Sequence, residues 1–283
     1  MEFGRKFKTK TSTARLRRRK ALIKKAIIVS AISFFVLIVF VFIVNLSSLR
    51  IEKTVVFGTN ILKEDDVLEV VNVGISGKYF FLIPKNSIFF YPKERIKNAL
   101  LNKFGRIEAV YPALDNGNVL VVSISEHSPK YLWCGDKKIE ENHASGNCYF
   151  TDKTGLIFVK SPDFSSNVFF TFYGPLASTT EPIGARIFSV EEFERVVSFK
   201  DAVSGMGFKS KGFAVLNDGD YELNLSPSGK ILFNTKNDFT KSLDNILLAI
   251  TSLPLSDEIK TKLDSLLYID VRFGNKVFYK FED

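Results

Sequence analysis

The chain has 283 residues, and its 39 Lys and Arg outnumber its 31 Asp and Glu, which makes the formal net charge +8 at pH 7. Residues 1–25 hold eleven basic residues and one acid, or +10, which leaves 28 basic and 30 acidic residues, or −2, for the rest. A nucleic-acid-binding domain would carry its basic residues over a folded surface, so this distribution argues against that class. Charges interspersed through the remaining chain argue against disorder.

Residues 26–44 form an apolar stretch without a charge, a proline or a glycine. As a helix this stretch is roughly 28 Å long, close to the hydrocarbon thickness of a bilayer. The sequence therefore predicts a transmembrane helix over residues 26–46 and, because basic residues beside a span stay inside, a cytoplasmic tail over residues 1–25. The alternative is a cleaved signal peptide, but the stretch exceeds the usual apolar length and lacks a small-residue cleavage site.

The segment after the span, residues 49–128, shows strand and helix patterns in the order β-α-α-β-β. Its strand patterns are rich in β-branched residues, and its helix patterns place apolar residues on one face. The turn Asp-Asn-Gly-Asn at residues 115–118 favours a hairpin between the last two strands. The predicted strands are 49–57, 107–114 and 119–125, the predicted helices are 63–71 and 92–105, glycines break the chain at 74–77, and residues 79–83 are predicted to be extended.

The remaining residues, 129–283, predict a β-rich domain with a mainly antiparallel sheet and two to three helices, so the whole chain falls in the α+β class. Ser189 and Glu192 have the spacing of a capping box, which begins one of these helices. The predicted strands are 130–134, 148–151, 156–159, 168–173, 208–216, 221–225, 231–234, 268–273 and 276–281, and the predicted helices are 189–204, 238–251 and a short turn from 256.

The two cysteines, Cys134 and Cys148, both follow the span and would lie outside the cytoplasm. Oxidising conditions there permit a disulfide, which would close a loop of about 15 residues and contribute about 3 kcal/mol. The alternative is a zinc site that adds His127 and His143 to the cysteines. The spacing of these four residues lacks the close ligand pairs that zinc sites have.

The sequence contains none of the common catalytic motifs: no G-x-S-x-G, no P-loop and no H-E-x-x-H. It has only two histidines, and its paired acids are adjacent, so their side chains point apart on a helix or strand. These features predict a protein that is not an enzyme and that needs no metal or cofactor.

Two motifs, near the start and at the end of this first segment, resemble the POTRA domain. One is VVFGTN, which contains Gly58 and Asn60, and the other is VLVVSISEHSP, which contains Glu126 and Pro129. A POTRA domain directly after a single span is similar to the FtsQ/DivIB family of bacterial cell-division proteins. In that family the closing strand ends in E-x-x-P, and His127 here replaces the usual basic residue. The alternative is that Glu126 and Pro129 are simply residues of a kind that commonly ends a strand.

The second segment also resembles this family. CYFTDKTGLIF matches the family's hairpin at Tyr149, Asp152, Gly155 and Phe158, and YIDVRF matches its last hairpin at Asp270 and Arg272. The alternative for Asp270 and Arg272 is a surface ion pair worth under about 1 kcal/mol. The resemblance covers nearly the whole chain and depends on the order and spacing of the motifs.

The resemblance implies a single-pass membrane scaffold of the division septum that helps to assemble and regulate septal cell-wall synthesis. It implies that the C-terminal sheet binds small coiled-coil division proteins of the FtsB and FtsL type, and that the POTRA domain meets other division proteins. The last strand ends the chain and is a candidate sheet edge, open to an added strand. The predicted partner-binding residues are Phe273, Lys276, Val277, Phe278, Tyr279 and Lys280, and a charge at Val277 or Tyr279 is expected to weaken binding without harming the fold.

Two other functions stay open. A POTRA-containing factor for envelope transport or assembly would need a β-barrel or repeated POTRA modules, and the sequence shows neither. A membrane-tethered envelope enzyme would show an activity that survives loss of the last hairpin.

Overall fold

The computed structural model describes residues 11–135, 148–162, 168–176, 181–216, 219–234 and 238–282. These residues form an α+β fold with an N-terminal apolar helix and a β-rich C-terminal part, as the sequence predicts. The chain divides into two compact units. The first unit is Met1–Lys103 with Ala109–Ile124, and the second is Phe104–Glu108 with Ser125–Asp283.

The N-terminal helix, α1, runs from Thr11 to Val44 and is followed by a short 3-10 turn at Ser47–Leu49. Its part Arg17–Val44 is long and apolar enough to cross a membrane, and only 6% of its most apolar window is buried. The apolar helix of a soluble core would instead be mostly covered by protein. The helix begins well before the predicted start at residue 26, because the Arg and Lys residues that precede the apolar stretch are themselves good helix formers.

The first unit contains a three-stranded sheet in the order β1-β5-β4, in which β1 is parallel to β5. Helix α2 packs against β1 and α3. The buried side chains alternate along β5 and recur every four residues on α2 and α3, as the periods of strand and helix require. The elements are β1 Lys53–Phe57, α2 Glu64–Ile75, β2 Lys78–Tyr79, β3 Ile83–Pro84, α3 Lys93–Lys103, β4 Ile107–Asp115 and β5 Val119–Glu126.

Helix α2 ends at Ile75, within the predicted break at residues 74–77, and Gly77 follows with φ +80°. Gly74 itself is helical, and a Cβ there would lie 3.1 Å from Ile96 Cγ1 on α3. One prediction for this unit is wrong in detail. Residues 79–83 do not form one extended strand but the tip of a tight hairpin between β2 and β3.

The second unit contains a nine-stranded sheet in the order β14-β13-β12-β11-β10-β9-β6-β7-β8. Five of its eight neighbouring pairs are antiparallel, which confirms the predicted mainly antiparallel sheet. A second 3-10 turn lies at Leu263–Ser265. The elements are β6 Tyr131–Trp133, β7 Tyr149–Thr151, β8 Ile157–Lys160, β9 Thr171–Tyr173, α4 Val190–Gly205, β10 Lys209–Val215, β11 Asp220–Ser226, β12 Lys230–Asn234, α5 Phe239–Thr251, α6 Leu255–Lys262, β13 Leu266–Phe273 and β14 Lys276–Phe281.

The core of the second unit lies between this sheet and its helices. Helix α4 packs against β10 and α5, and α5 also packs against β13 and β14. Ser189 caps α4 by accepting a hydrogen bond from the backbone N–H of Glu192. The carboxylate of Glu192 accepts a hydrogen bond from the Tyr221 hydroxyl on β11. Large aromatic side chains fill the core, among them Phe172, Phe193, Phe199, Phe213 and Phe233, which are fully buried.

Candidate partner-binding edge

Strand β14 lies at one end of the nine-stranded sheet and pairs with β13 on one side, with Ile269 opposite Tyr279 and Asp270 opposite Phe278. Gly274, in the turn that joins the two strands, has φ +68°, which favours glycine. No described strand pairs with the other side of β14. An edge of this kind presents backbone N–H and C=O groups to which a strand from another chain can bond.

The predicted partner-binding residues on β14 lie on two different faces. Val277 and Tyr279 pack against the core, as does Phe281 at the end of the strand. Lys276, Phe278 and Lys280 are exposed on the opposite face. A charge at Val277 or Tyr279 would therefore disturb the core, so the expectation that such a variant keeps its fold intact is wrong. The exposed face is the one that can contact a partner.

The exposed face carries an aromatic pair made by Phe273, at the end of β13, and Phe278. Their rings meet edge to face with centroids 5.6 Å apart, and the side chains are 56% and 49% exposed. The Arg272 guanidinium lies 5.6 Å from the centre of the Phe273 ring. With Lys276 and Lys280 beside it, this pair forms an apolar patch with a basic border. Such a patch complements a strand that carries apolar and acidic side chains.

Asp270 and Arg272 form the centre of a hydrogen-bonded network rather than a surface ion pair. Arg272 donates from Nε and Nη2 to the Asp270 carboxylate at 2.9 and 2.6 Å, and from Nη1 to Asp220 at 2.6 Å. Asn234 Nδ2 donates to the backbone oxygen of Arg272 at 3.3 Å. Asp270 is only 5% exposed, which corrects the surface interpretation. The hydrogen bond with Asp270 is the main cause of a raised pKa at Arg272, with Asp220 contributing, so the guanidinium keeps its charge.

Asp220 and Asn234 were not predicted as part of this group. Asp220 is the first residue of β11 and Asn234 the last residue of β12, and the two lie opposite each other in the sheet. Their link to Arg272 spans up to 52 residues of sequence, which no local pattern indicates. The group joins β11, β12 and β13, and so supports the hairpin that ends in β14.

Asp152 and Gly155 form a tight turn between β7 and β8. Asp152 Oδ1 accepts hydrogen bonds from the backbone and hydroxyl of Thr154 at 2.8 and 2.7 Å and from Leu156 N at 3.0 Å. Its Oδ2 lies 3.0 Å from His127 Nδ1. Burial by itself would raise the pKa of Asp152, but these hydrogen bonds and His127 outweigh burial and lower the pKa. The carboxylate is thus held as an acceptor that organises the turn.

His127 stacks on the Phe158 ring, with centroids 5.2 Å apart, as well as pairing with Asp152. Glu126 is the last residue of β5, and Pro129 lies in the loop before β6. The motif residues Glu126, Pro129 and Asp152 therefore lie just before β6 and just after β7, the first two strands of the second unit's sheet in chain order.

Gly58, the first motif glycine, follows β1 with φ +85°. A Cβ at this position would lie 2.1 Å from the backbone oxygen of Ile124, so only glycine fits. Asn60 lies two residues further on, in the loop before α2, and is exposed. The GTN motif thus makes the turn that follows β1 beside β5.

Cys134 and Cys148 form a disulfide bond in the structure. Since the two sulfur atoms are bonded to each other, they are not free to bind zinc. His143, the remaining member of that alternative, lies outside the described residues. Among the residues that the structure describes, no group of three or more His, Cys, Asp or Glu is placed to hold a metal ion.

No family model matches the sequence. No curated protein matches it either. The functional interpretation therefore depends on the features described above, the open edge of β14 first among them.

Proposed function

We propose that this protein is a membrane-anchored scaffold that captures other proteins at the open edge of its nine-stranded sheet. The observation that carries the proposal is β14, an edge strand with an exposed face made of Phe278, Lys276 and Lys280. A partner segment adds a strand along β14, and its apolar and acidic side chains cover the aromatic pair and the two lysines. Main-chain hydrogen bonds supply affinity, and the patch supplies the choice of partner.

The anchor in this proposal is α1, with the basic tail in the cytoplasm and both units outside. Two observations support it: the exposed apolar surface of Arg17–Val44 and the concentration of positive charge before that surface. The disulfide between Cys134 and Cys148 fits the same orientation, because the cytoplasm keeps most thiols reduced.

The cellular role in this proposal is cell division. The motifs that resemble the FtsQ/DivIB family support it, together with the order of the elements that follow α1: β1, α2, the short β2–β3 hairpin, α3, β4 and β5. On this proposal the first unit is a POTRA domain, the partners at β14 are coiled-coil division proteins of the FtsB and FtsL type, and the assembly regulates septal cell-wall synthesis. The protein contributes binding and no catalysis.

The test compares Phe278→Glu with Tyr111→Glu in the full chain carrying a fluorescent tag. Tyr111 is a matched control because it is also an exposed aromatic residue on a strand, 65% exposed on β4. The wild type and Tyr111→Glu should copurify small coiled-coil division proteins and collect at the septum, whereas Phe278→Glu should lose the copurifying proteins. Equal copurification by all three would overturn the edge as the interface, and an even distribution of the wild type around the membrane would overturn the division role.

A further inference from the structure

The first unit exposes a group of large apolar side chains close to the end of α1. Phe80 and Phe81 form the tip of the β2–β3 hairpin and are 89% and 94% exposed. Leu82 follows them, and Phe89 and Phe90 lie in the turns that lead to α3. We call these five residues the aromatic collar. So much exposed apolar surface in one place is typical of a contact with a membrane or a partner.

The backbone at the tip of the collar is unusual for phenylalanine. Phe80 has φ +46° and Phe81 has φ +62°, a left-handed conformation that favours glycine or asparagine. Bulky side chains there strain the chain and gain no burial within the protein. Strained residues of this kind concentrate at sites of function.

The collar is bonded directly to the end of α1. Asn45, the residue after the helix, donates from Nδ2 to the Leu82 backbone oxygen at 2.9 Å. Next to Phe89 of the collar, Ile88 N donates to the backbone oxygen of Leu49, in the 3-10 turn that follows α1, at 3.1 Å. The Phe90 ring meets the Phe40 ring edge to face, with centroids 6.1 Å apart.

These contacts set the depth of the collar relative to the apolar stretch. Phe40 lies four residues before the end of α1 at Val44, or about 6 Å along the helix axis. The collar therefore lies level with the outer end of the stretch that crosses the bilayer. Lys78 and Lys85 flank the tip, and Lys85 Nζ lies 5.8 Å from the centre of the Tyr79 ring. Aromatic rings bordered by lysines suit the headgroup region of a bilayer with anionic lipids.

We propose that the aromatic collar inserts into the outer leaflet of the membrane that α1 crosses, as a second lipid contact of the first unit. This inference rests on the proposed anchoring by α1. The occupant of the collar is lipid, because the collar is continuous with the lipid-facing surface of the helix. The contact holds the first unit against the bilayer and limits how far it can move from the membrane.

The test places an environment-sensitive NBD label on single cysteines in the full chain. The chain has two cysteines, and both are in the disulfide, so an introduced cysteine is the only free thiol. The labelled variants are Phe81→Cys in the collar, Phe42→Cys in α1 as the lipid reference, and Tyr111→Cys on β4 as the water reference. Each protein is reconstituted in vesicles of phosphatidylcholine and phosphatidylglycerol, with quencher either as doxyl lipid or as iodide in the water.

The label at residue 81 should be quenched by doxyl lipid several-fold more strongly than the label at 111, and by iodide several-fold less, so that it resembles the label at 42. Quenching of 81 by iodide as strong as that of 111, with 42 still quenched by lipid, overturns the inference and leaves the anchor standing. A label at 81 shielded from both quenchers means that protein covers the collar, which also overturns it. No lipid quenching at 42 overturns the anchor and this inference together.

Discussion

Arg272 donates a 2.6 Å hydrogen bond to the carboxylate of Asp220, although the two residues lie 52 positions apart in the sequence and on strands separated by β12. The same guanidinium holds the buried Asp270 on its own strand. The three side chains therefore connect β11, inside the sheet, to β13, the strand with which β14 pairs. Because β14 pairs with β13 alone among the described strands, the edge depends on how firmly β13 is held.

The first prediction is that Arg272→Ala lowers the free energy of unfolding of the second unit by roughly 1–3 kcal/mol. The variant leaves the buried carboxylate of Asp270 without its charged donor, and hydrogen bonds to charged groups are worth this amount. Trp133, the one tryptophan in the sequence, is buried in this unit, so its fluorescence during urea unfolding of the detergent-solubilised full chain measures the change.

Asp257→Ala is the matched control, because it breaks an ion pair with Lys260 whose side chains are both largely exposed. It should change the same free energy by less than about 0.5 kcal/mol. Equal losses for the two variants would mean that the Arg272 network contributes no more than a surface pair.

The second prediction concerns how the stability contributed by Asp152 depends on pH. The pKa of Asp152 lies below its ordinary value of 3.8 in the folded protein, so the folded state binds fewer protons at this group than the unfolded state. The stability that this carboxylate contributes is therefore fully present above the unfolded pKa and is lost as the pH falls through the folded pKa. Asp152→Asn should be less stable than the wild type at neutral pH, and the difference should shrink below about pH 4.

Urea unfolding followed by Trp133 fluorescence across a pH series measures this convergence. Asp257→Asn, which removes an exposed carboxylate from α6, should follow the wild type at every pH. A difference between Asp152→Asn and the wild type that stays constant from neutral to acid pH would show that the charge of Asp152 does not stabilise the fold.

The parts of the fold that the sequence predicts well are those that local patterns determine. The apolar stretch, the capped helices and the hairpin turns at residues 115–118 and 274–275 each depend on neighbouring residues alone. The two faces of β14 can also be predicted from the sequence, because side chains along a strand alternate between its faces with a period of two. Val277, Tyr279 and Phe281 therefore share one face, and Lys276, Phe278 and Lys280 share the other. The predicted binding residues include both faces, although this alternation places Val277, Tyr279 and Phe281 together on one of them.

The parts that the sequence does not predict are those that depend on distant pairings. Strand β6 lies beside β9 and β12 beside β13, both in parallel, although hairpin patterns favour sequential antiparallel neighbours. Asp220 falls one residue before the predicted strand 221–225, and no local pattern indicates its pairing with Arg272, which lies two strands away. The left-handed phenylalanines at the hairpin tip contradict the local preference of that residue type, and local rules fail most often at sites with a function.

The last prediction concerns why residue 155 is a glycine: because of its left-handed backbone angle, or because a Cβ would collide with a neighbouring side chain. This glycine has φ +76°, and a Cβ there would lie 2.6 Å from Cδ2 of the buried Phe193 ring. Gly274 has a similar φ of +68°, but no described atom lies within 4 Å of its Cβ position. Gly274→Ala should therefore cost only the left-handed strain, about 1–2 kcal/mol. Gly155→Ala should cost roughly 1–3 kcal/mol more, because Phe193 must shift in a packed core.

The midpoints of urea unfolding by Trp133 fluorescence give both losses on the same scale. Phe193→Leu offers a direct check on the cause, because a smaller side chain beneath the turn makes room for the added methyl group. In that background the extra cost of Gly155→Ala should fall toward that of Gly274→Ala. If the two alanine variants lose equal stability in the wild-type background, the backbone angle alone explains the glycine, and the packing of the turn against α4 does not restrict residue 155.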